Sequence, residues 1–153
     1  MTNPAPTTDM IVNFDATSII AAFDFDGSLG RNCRALGAAI ESHLPKLSEN
    51  YWSYWVNMHQ YRELDDPAHL AQAQKRTARY LRDRLFGIED PAWVKSLVTI
   101  ITDTCRRNIP LYQVHVASSR LQPMILDILA EEKSDDDNYL CLCETASTFS
   151  ALE

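Results

Sequence analysis

The sequence predicts an α/β fold, in which a parallel sheet forms the core and a helical segment is inserted as a cap. Short apolar runs at residues 19–23, 111–116 and 139–143 have the length and the β-branched or aromatic content of strands. Longer stretches with helical spacing lie between these runs. Alternating strands and helices are typical of parallel sheets that are covered by helices.

The length of 153 residues fits one domain with a substantial core. We divide the chain into a flexible N-terminal tail at residues 1–17, an α/β core at residues 18–33 and 94–153, and a helical insertion at residues 34–93. Because strands and helices alternate along the core segments, we expect a Rossmann-like parallel sheet.

The first predicted strand, residues 19–23, is a continuous run of five apolar residues. It starts with two isoleucines, and a turn that contains Gly27 closes it. Continuous apolar runs of this kind are typical of strands that are buried on both faces of a sheet. Gly30 and Gly37 follow soon after, so the backbone behind this strand needs conformational freedom.

Residues 34–108 predict three or four helices. Asp66 with Pro67, and later Asp90 with Pro91, are typical helix starts, in which the aspartate caps the helix and the proline takes its first position. The apolar stripe after the first of these starts ends near Gly87, as a helix end often does.

The apolar pattern changes again after residue 110. The second predicted strand, residues 111–116, leads to two serines and an arginine at positions 118–120. Helical spacing returns at residues 121–129, and residues 139–143 form the third predicted strand. This order completes the α/β pattern.

Composition excludes several classes of protein. An apolar fraction of 46% is too high for a disordered chain, and the apolar runs are too short to span a membrane. The N-terminal residues have no export signal, so we expect no membrane contact. The four cysteines are too few and too scattered for a disulfide framework, which favours a reducing, cytoplasmic setting.

The net charge of -7 is unevenly distributed. Residues 131–153 hold 7 acidic side chains and 1 basic one, whereas residues 62–107 hold 7 acidic and 9 basic ones. The acidic segment at residues 131–137 can contact a basic partner, and an ordinary solvated turn is the alternative.

Two further features are candidates for binding. A basic stretch on one predicted helix can contact nucleic-acid phosphates, with a solvated helix face as the alternative. Its residues are Lys75, Arg76, Arg79 and Arg82. An aromatic cluster can stack on bases or contact a protein, with core packing as the alternative. Its residues are Tyr51, Trp52, Tyr54, Trp55 and Tyr61.

Asp24 and Asp26 follow the first predicted strand and are separated by one residue. In α/β folds, ligands bind where parallel strands end. Carboxylate oxygens are preferred ligands of Mg²⁺, and a carboxylate in this place can also act as a nucleophile or as a general acid and base. The alternative is an ordinary polar turn.

Residues 19–29 (IIAAFDFDGSL) and 114–120 (VHVASSR) together resemble the first two motifs of the haloacid dehalogenase-like (HAD) hydrolase superfamily. By this resemblance Asp24 is the nucleophile that accepts a phosphoryl group, Asp26 is the general acid and base, and Ser118 donates to the transferring group. The resemblance also implies Mg²⁺ at Asp24 and Asp26. The expected substrate contacts are Ser28, Ser119 and Arg120.

The third and fourth motifs of that superfamily have no close match. Lys133 is the only lysine after Arg120, and Glu144 follows the third predicted strand. These two residues are the candidates for the catalytic lysine and for a further ligand of the metal. If they do not serve, the chain is a degenerate scaffold without a complete catalytic set.

Two classes of function therefore stay open. The first is a Mg²⁺-dependent phosphohydrolase of HAD type that acts on a small phosphorylated metabolite or nucleotide end. The second is an acidic binding protein without catalysis, such as a phage-type inhibitor of a bacterial defence complex, whose partner is another protein. The two matched motifs favour the first class, and the two missing motifs favour the second.

Overall fold

The computed structural model describes residues 15–151, and every regular element in that range is a helix. The α-helices are α1 (Ala16–Phe23), α2 (Leu29–Ile40), α3 (Leu44–Ser53), α4 (Pro67–Phe86), α5 (Ala92–Arg106), α6 (Leu111–Ser119), α7 (Leu121–Lys133) and α8 (Tyr139–Ala151). Two 3₁₀ helices lie at Glu41–His43 and His59–Asp65. Of the predicted tail, residues 1–14 lie outside the described residues.

The predicted Rossmann-like α/β fold is wrong, because all three predicted strands lie in helices. Residues 19–23 belong to α1, which Asp15 caps by accepting a hydrogen bond from the Ser18 N–H at 3.1 Å. Two alanines inside the run favour a helix, and apolar runs of this length do not by themselves distinguish a strand from a buried helix. The cap lies outside the run on which the strand was predicted.

The other two predicted strands are also wrong, because both runs lie in helices. Residues 111–116 form most of α6, which begins directly after Pro110. Residues 139–143 begin α8, where the Thr145 hydroxyl donates to the Cys141 carbonyl at 2.7 Å. Without a sheet in the described residues, the fold implied by the HAD resemblance is absent there as well.

Of the two helix starts predicted from Asp-Pro pairs, the first is confirmed, and the second is shifted by one residue because α5 begins at Ala92, directly after Pro91. Asp66 caps α4 by accepting from the Ala68 N–H at 2.8 Å, and Gly87 follows its last residue. Asp90 accepts from the Ala92 N–H at 2.9 Å at the start of α5. These short-range signals depend only on residues within one helical turn.

Helices α2 and α4 pack antiparallel at the centre of the main core. Ion pairs at 2.8 Å join Arg34, in the middle of α2, to Glu89 after α4, and Glu41, directly after α2, to Arg82. Between them Gly37 lies so close that an added Cβ would stand 3.0 Å from the Phe86 ring. The missing side chain therefore sets the distance between the two helices.

The main core also includes the last two helices. α7 and α8 form an antiparallel hairpin, in which Gln122 donates to the Ser147 hydroxyl at 3.2 Å. The buried apolar residues come from inside and outside the predicted insertion. They include Leu36, Ile40, Leu81, Leu85, Leu129 and Phe149. A second, smaller cluster is built from Trp55, Tyr61, Leu64, Ala73, Ile109 and Ala117.

Among the helices of residues 15–151, none combines the length and the apolar character that crossing a bilayer requires.

Candidate functional site

The segment with Asp24 and Asp26 connects α1 to α2 and caps the second helix. Asp24 Oδ1 accepts from the Leu29 N–H at 2.9 Å, and Asp26 Oδ1 accepts from the Ser28 N–H at 3.0 Å. Gly27, directly after Asp26, has φ 73°, in the left-handed region that favours glycine. Both carboxylates therefore bind backbone N–H groups at the start of α2, as carboxylates near a helix N-terminus commonly do.

The electrostatics of this segment follow from the same contacts. The Ser28 hydroxyl and the Ser28 backbone N–H both donate to Asp26, and the hydroxyl has the larger effect. These hydrogen bonds hold the pKa of the Asp26 carboxyl below its usual range. Asp26 therefore stays ionised at neutral pH. A general acid needs a pKa near the working pH, so this environment does not favour proton donation by Asp26.

Ser118 lies at the other end of α2. It borders a small apolar cavity beside Ile40 and Leu44. Leu29 and Ile40 are the two ends of α2, which is about 16 Å long because an α-helix rises about 1.5 Å per residue. Helix α2 therefore separates Ser118 from Asp24 by most of its length.

The last two site residues predicted from the sequence are Lys133 and Glu144. Lys133 ends α7, and its neighbour Glu132 contacts the His43 ring at 2.7 Å, beyond the C-terminal end of α2. Glu144 is exposed on α8. Within residues 15–151, no three His, Cys, Asp or Glu side chains form a group that could hold a metal ion. Asp24, Asp26 and Glu144 thus do not form the expected ligand set, and Mg²⁺ binding stays a prediction.

The structure therefore groups only part of the predicted site. Asp24, Asp26 and Ser28 lie together at the start of α2, and Ser118 and Lys133 lie toward the far end of that helix. Ser119 and Arg120 are exposed at the junction of α6 and α7. Among the described residues, the predicted site residues therefore do not all lie at one place.

Two of the four residues of the predicted basic face on α4 are paired with acids. Arg82 contacts Glu41 at 2.8 Å, and Arg79 contacts Asp83 at 3.6 Å. Lys75 and Arg76 are exposed and lie toward the start of the helix. The charge that is available to an external phosphate is therefore smaller than the sequence indicates.

The aromatic cluster mainly forms the second core. Trp55 is 1% exposed and Tyr61 is 7% exposed, and the centroids of their rings are 5.4 Å apart. Tyr51, Trp52 and Tyr54 are half-buried around them. Core packing, one of the two interpretations left open by the sequence, accounts for the buried pair.

A surface that the sequence analysis missed lies on α6. Leu111, Tyr112 and Val116 are 54%, 65% and 41% exposed, although large apolar side chains are normally buried. Because each residue of an α-helix advances by about 100°, these three and exposed His115 fall within an arc of about 140°. We call Leu111, Tyr112 and Val116 the α6 face.

The opposite side of α6 is packed. Ala117 is fully buried in the second core, and Val114 packs against the same cluster. The helix is thus fixed to the protein by one side and presents apolar side chains on the other. An exposed apolar patch on a folded domain commonly marks a binding surface.

Basic residues lie at both ends of the α6 face. Residues 104–126 contain no acidic residue, and exposed Arg106 and Arg120 lie before and after the helix. The Arg120 guanidinium stands 5.9 Å from the centre of the Tyr54 ring, which connects it to the second core. By contrast, the acidic side chains of residues 135–137 are exposed in the turn between α7 and α8.

One signal for the α6 face was present in the sequence. Tyr112 and Val116 are four residues apart, as are Leu111 and His115, and this spacing places each pair on one side of a helix. The same residues were predicted to form a strand of the sheet. On that assignment their apolar side chains are explained by the core, and no surface is expected.

Comparisons with protein-family models, with curated proteins and with solved structures gave no match to this chain.

Proposed function

We propose that this protein is a binding protein without catalysis that docks an amphipathic helix of a partner protein on the α6 face. The observation that carries this proposal is the exposure of Leu111, Tyr112 and Val116 on one side of a helix that is otherwise packed. Helix-in-groove recognition uses apolar side chains at such spacing. By occupying a segment that a partner needs, a small protein of this kind can act as an inhibitor.

Burial of this surface supplies part of the free energy of binding. Full burial of a Leu, Tyr or Val side chain stabilises by roughly 1.5–3 kcal/mol, and these three are about half exposed. Completing their burial therefore adds about 1 kcal/mol for each residue. The sum of about 3 kcal/mol corresponds to about a hundredfold in affinity.

Charge determines which partner fits. Arg106 and Arg120 flank the α6 face, and no acidic residue lies between them in the sequence. A second copy of the chain that docked α6 on α6 would bring these basic ends together, whether the helices ran parallel or antiparallel. A helix with an apolar stripe and acidic residues at its ends complements the surface, and we propose that chemistry for the partner.

The setting that we propose is reducing and cytoplasmic. Cys33, Cys105, Cys141 and Cys143 are all free thiols in the structure. Disulfides are rare in reducing compartments, where thiols stay unpaired.

The proposal is tested by selecting helical peptides from a display library on the immobilised protein, after depletion on a Tyr112→Glu variant. We expect the selected peptides to combine apolar residues at three- and four-residue spacing with aspartate or glutamate near their ends. Recovery of no binder, or of binders that lack acidic residues, would contradict the proposal.

A further inference from the structure

A second surface feature, separate from the α6 face, is an open cavity of about 150 Å³ between α4, α5 and the 3₁₀ helix His59–Asp65. It is too small for a nucleotide and is sufficient for one six-membered ring with a short substituent. The size therefore limits the ligand to a small molecule.

The walls of the cavity are aromatic and fixed in orientation. The rings of Trp52 and Tyr61 meet edge to face, with centroids 5.8 Å apart. Trp52 donates its Nε1–H to the Thr77 hydroxyl at 2.9 Å, and Tyr61 is buried. Leu64 and Ala73 complete the apolar part of the lining. Such walls favour a flat, apolar ring.

The two acidic residues in the lining both pair with Arg107. Arg107 contacts Glu63 at 2.5 Å and Asp103 at 2.8 Å, donates to the Gln60 carbonyl at 2.8 Å, and stands 4.4 Å from the centre of the Tyr61 ring. Partial burial opposes ionisation of Glu63, yet its own backbone N–H and Arg107 hold the pKa of that carboxyl below its usual range. Glu63 and Asp103 therefore each form an ion pair with Arg107.

A positive charge remains at the mouth. Arg76 lines the cavity and is exposed, and among residues 15–151 it has no ion-pair partner within 4.0 Å. Gln72 lies one helical turn before it on α4, so that both side chains reach the same side of the opening. A guanidinium with a neighbouring amide matches the geometry of a carboxylate.

We infer that this cavity binds a small aromatic carboxylate, with its ring against Trp52 and Tyr61 and its carboxylate on Arg76 and Gln72. Binding there does not depend on the α6 face. It requires only the aromatic walls, Arg76 at the mouth, and the pairing of the two acidic residues with Arg107.

The test is isothermal titration of the full chain with sodium benzoate, beside benzamide, which carries the same ring without a charge. We expect a dissociation constant of about 0.1–1 mM for benzoate and binding at least about tenfold weaker for benzamide. No heat up to about 10 mM benzoate, or equal affinity for both compounds, would overturn the inference. Phenyl phosphate distinguishes the two anions, and tighter binding of phenyl phosphate than of benzoate would contradict a carboxylate ligand.

Two matched variants on α4 test whether the ligand binds in the cavity. Arg76→Gln removes the charge at the mouth, whereas Arg79→Gln removes the same charge from an exposed position outside the cavity. Both side chains are exposed, so both variants keep the fold. We expect benzoate affinity to fall at least about tenfold in the first variant and less than twofold in the second. An equal loss in both would mean that the net charge, and not the cavity, attracts the anion.

Discussion

The Arg84 guanidinium lies 4.1 Å from the centre of the Phe149 ring and donates to the Phe149 carbonyl at 2.5 Å. The Trp93 ring lies 5.0 Å away from the same guanidinium. Arg84 is fully buried, so this contact links α4 to the end of α8 inside the main core. A buried arginine between two rings is held by cation–π attraction and by packing of its stem.

This arrangement predicts a large loss of stability for Arg84→Ala. The variant leaves a cavity between two aromatic rings and removes a donor from a buried carbonyl, which costs about 3 kcal/mol of unfolding free energy. Urea denaturation followed by circular dichroism measures this change. Arg79→Ala, on the exposed side of the same helix, should change stability by less than about 0.5 kcal/mol. Equal effects of the two variants would show that Arg84 is not a core residue.

The cap of α4 gives a second prediction. Asp66→Ala removes the carboxylate that accepts from the Ala68 N–H, and it should cost about 1 kcal/mol. Asp65→Ala changes the same charge one residue earlier and is the control. Urea midpoints that shift equally in both variants would mean that charge, and not capping, is responsible.

Cys33 gives a prediction for alkaline pH. Burial raises the pKa of the Cys33 thiol to about 11, above its unfolded value of about 9. The folded state then keeps a proton that the unfolded state loses, so the stability contributed by the neutral thiol is full below pH 9 and falls as the pH rises toward 11. The loss is on the order of 2 kcal/mol by pH 11.

A Cys33→Ala variant isolates this effect from other groups that titrate in the same range. We expect the difference in unfolding free energy between wild type and variant to shrink from pH 8 to pH 11. A difference that stays constant over this range would contradict the raised pKa of Cys33.

Phosphohydrolase activity stays a prediction of the HAD resemblance, and it has its own test. In the structure Asp24 Oδ1 accepts from the Leu29 N–H, and Asp24→Asn should keep the fold, since the side-chain oxygen of asparagine can accept the same hydrogen bond. We expect hydrolysis of an aryl phosphate with Mg²⁺ to be at background for both wild type and variant. Hydrolysis by the wild type that Asp24→Asn abolishes would support the enzyme instead.

The sequence predicted the helices whose start signals are local. The pairs Asp66 with Pro67 and Asp90 with Pro91 identified α4 and α5, because a cap and its first turn lie within a few residues. It failed for α1, α6 and α8, where short apolar runs satisfy the period of a strand and of a buried helix equally well. Their helical state depends on caps and on packing against distant helices, which a single short run does not contain.

For the candidate surfaces too, the sequence predicted contacts between near neighbours but not contacts between residues far apart in the chain. Pairing of Arg79 with Asp83 could be read from four-residue spacing, whereas pairing of Arg82 with Glu41 joins residues far apart in the chain. The cavity beside Trp52 and the exposure of Tyr112 depend likewise on how helices pack. The aspartates of the first motif were recognised as a pair, but their role as caps requires the helix that follows them.

The most direct test of docking on the α6 face compares the affinity of one selected acidic helical peptide for three forms of the protein. Tyr112→Glu places a charge on the α6 face, and Leu140→Glu makes the same kind of change at a side chain that is 74% exposed at the start of α8. We predict that the dissociation constant rises at least about tenfold for Tyr112→Glu and less than twofold for Leu140→Glu, as measured by isothermal titration. Unchanged affinity for Tyr112→Glu, or an equal loss in both variants, would contradict the proposed surface.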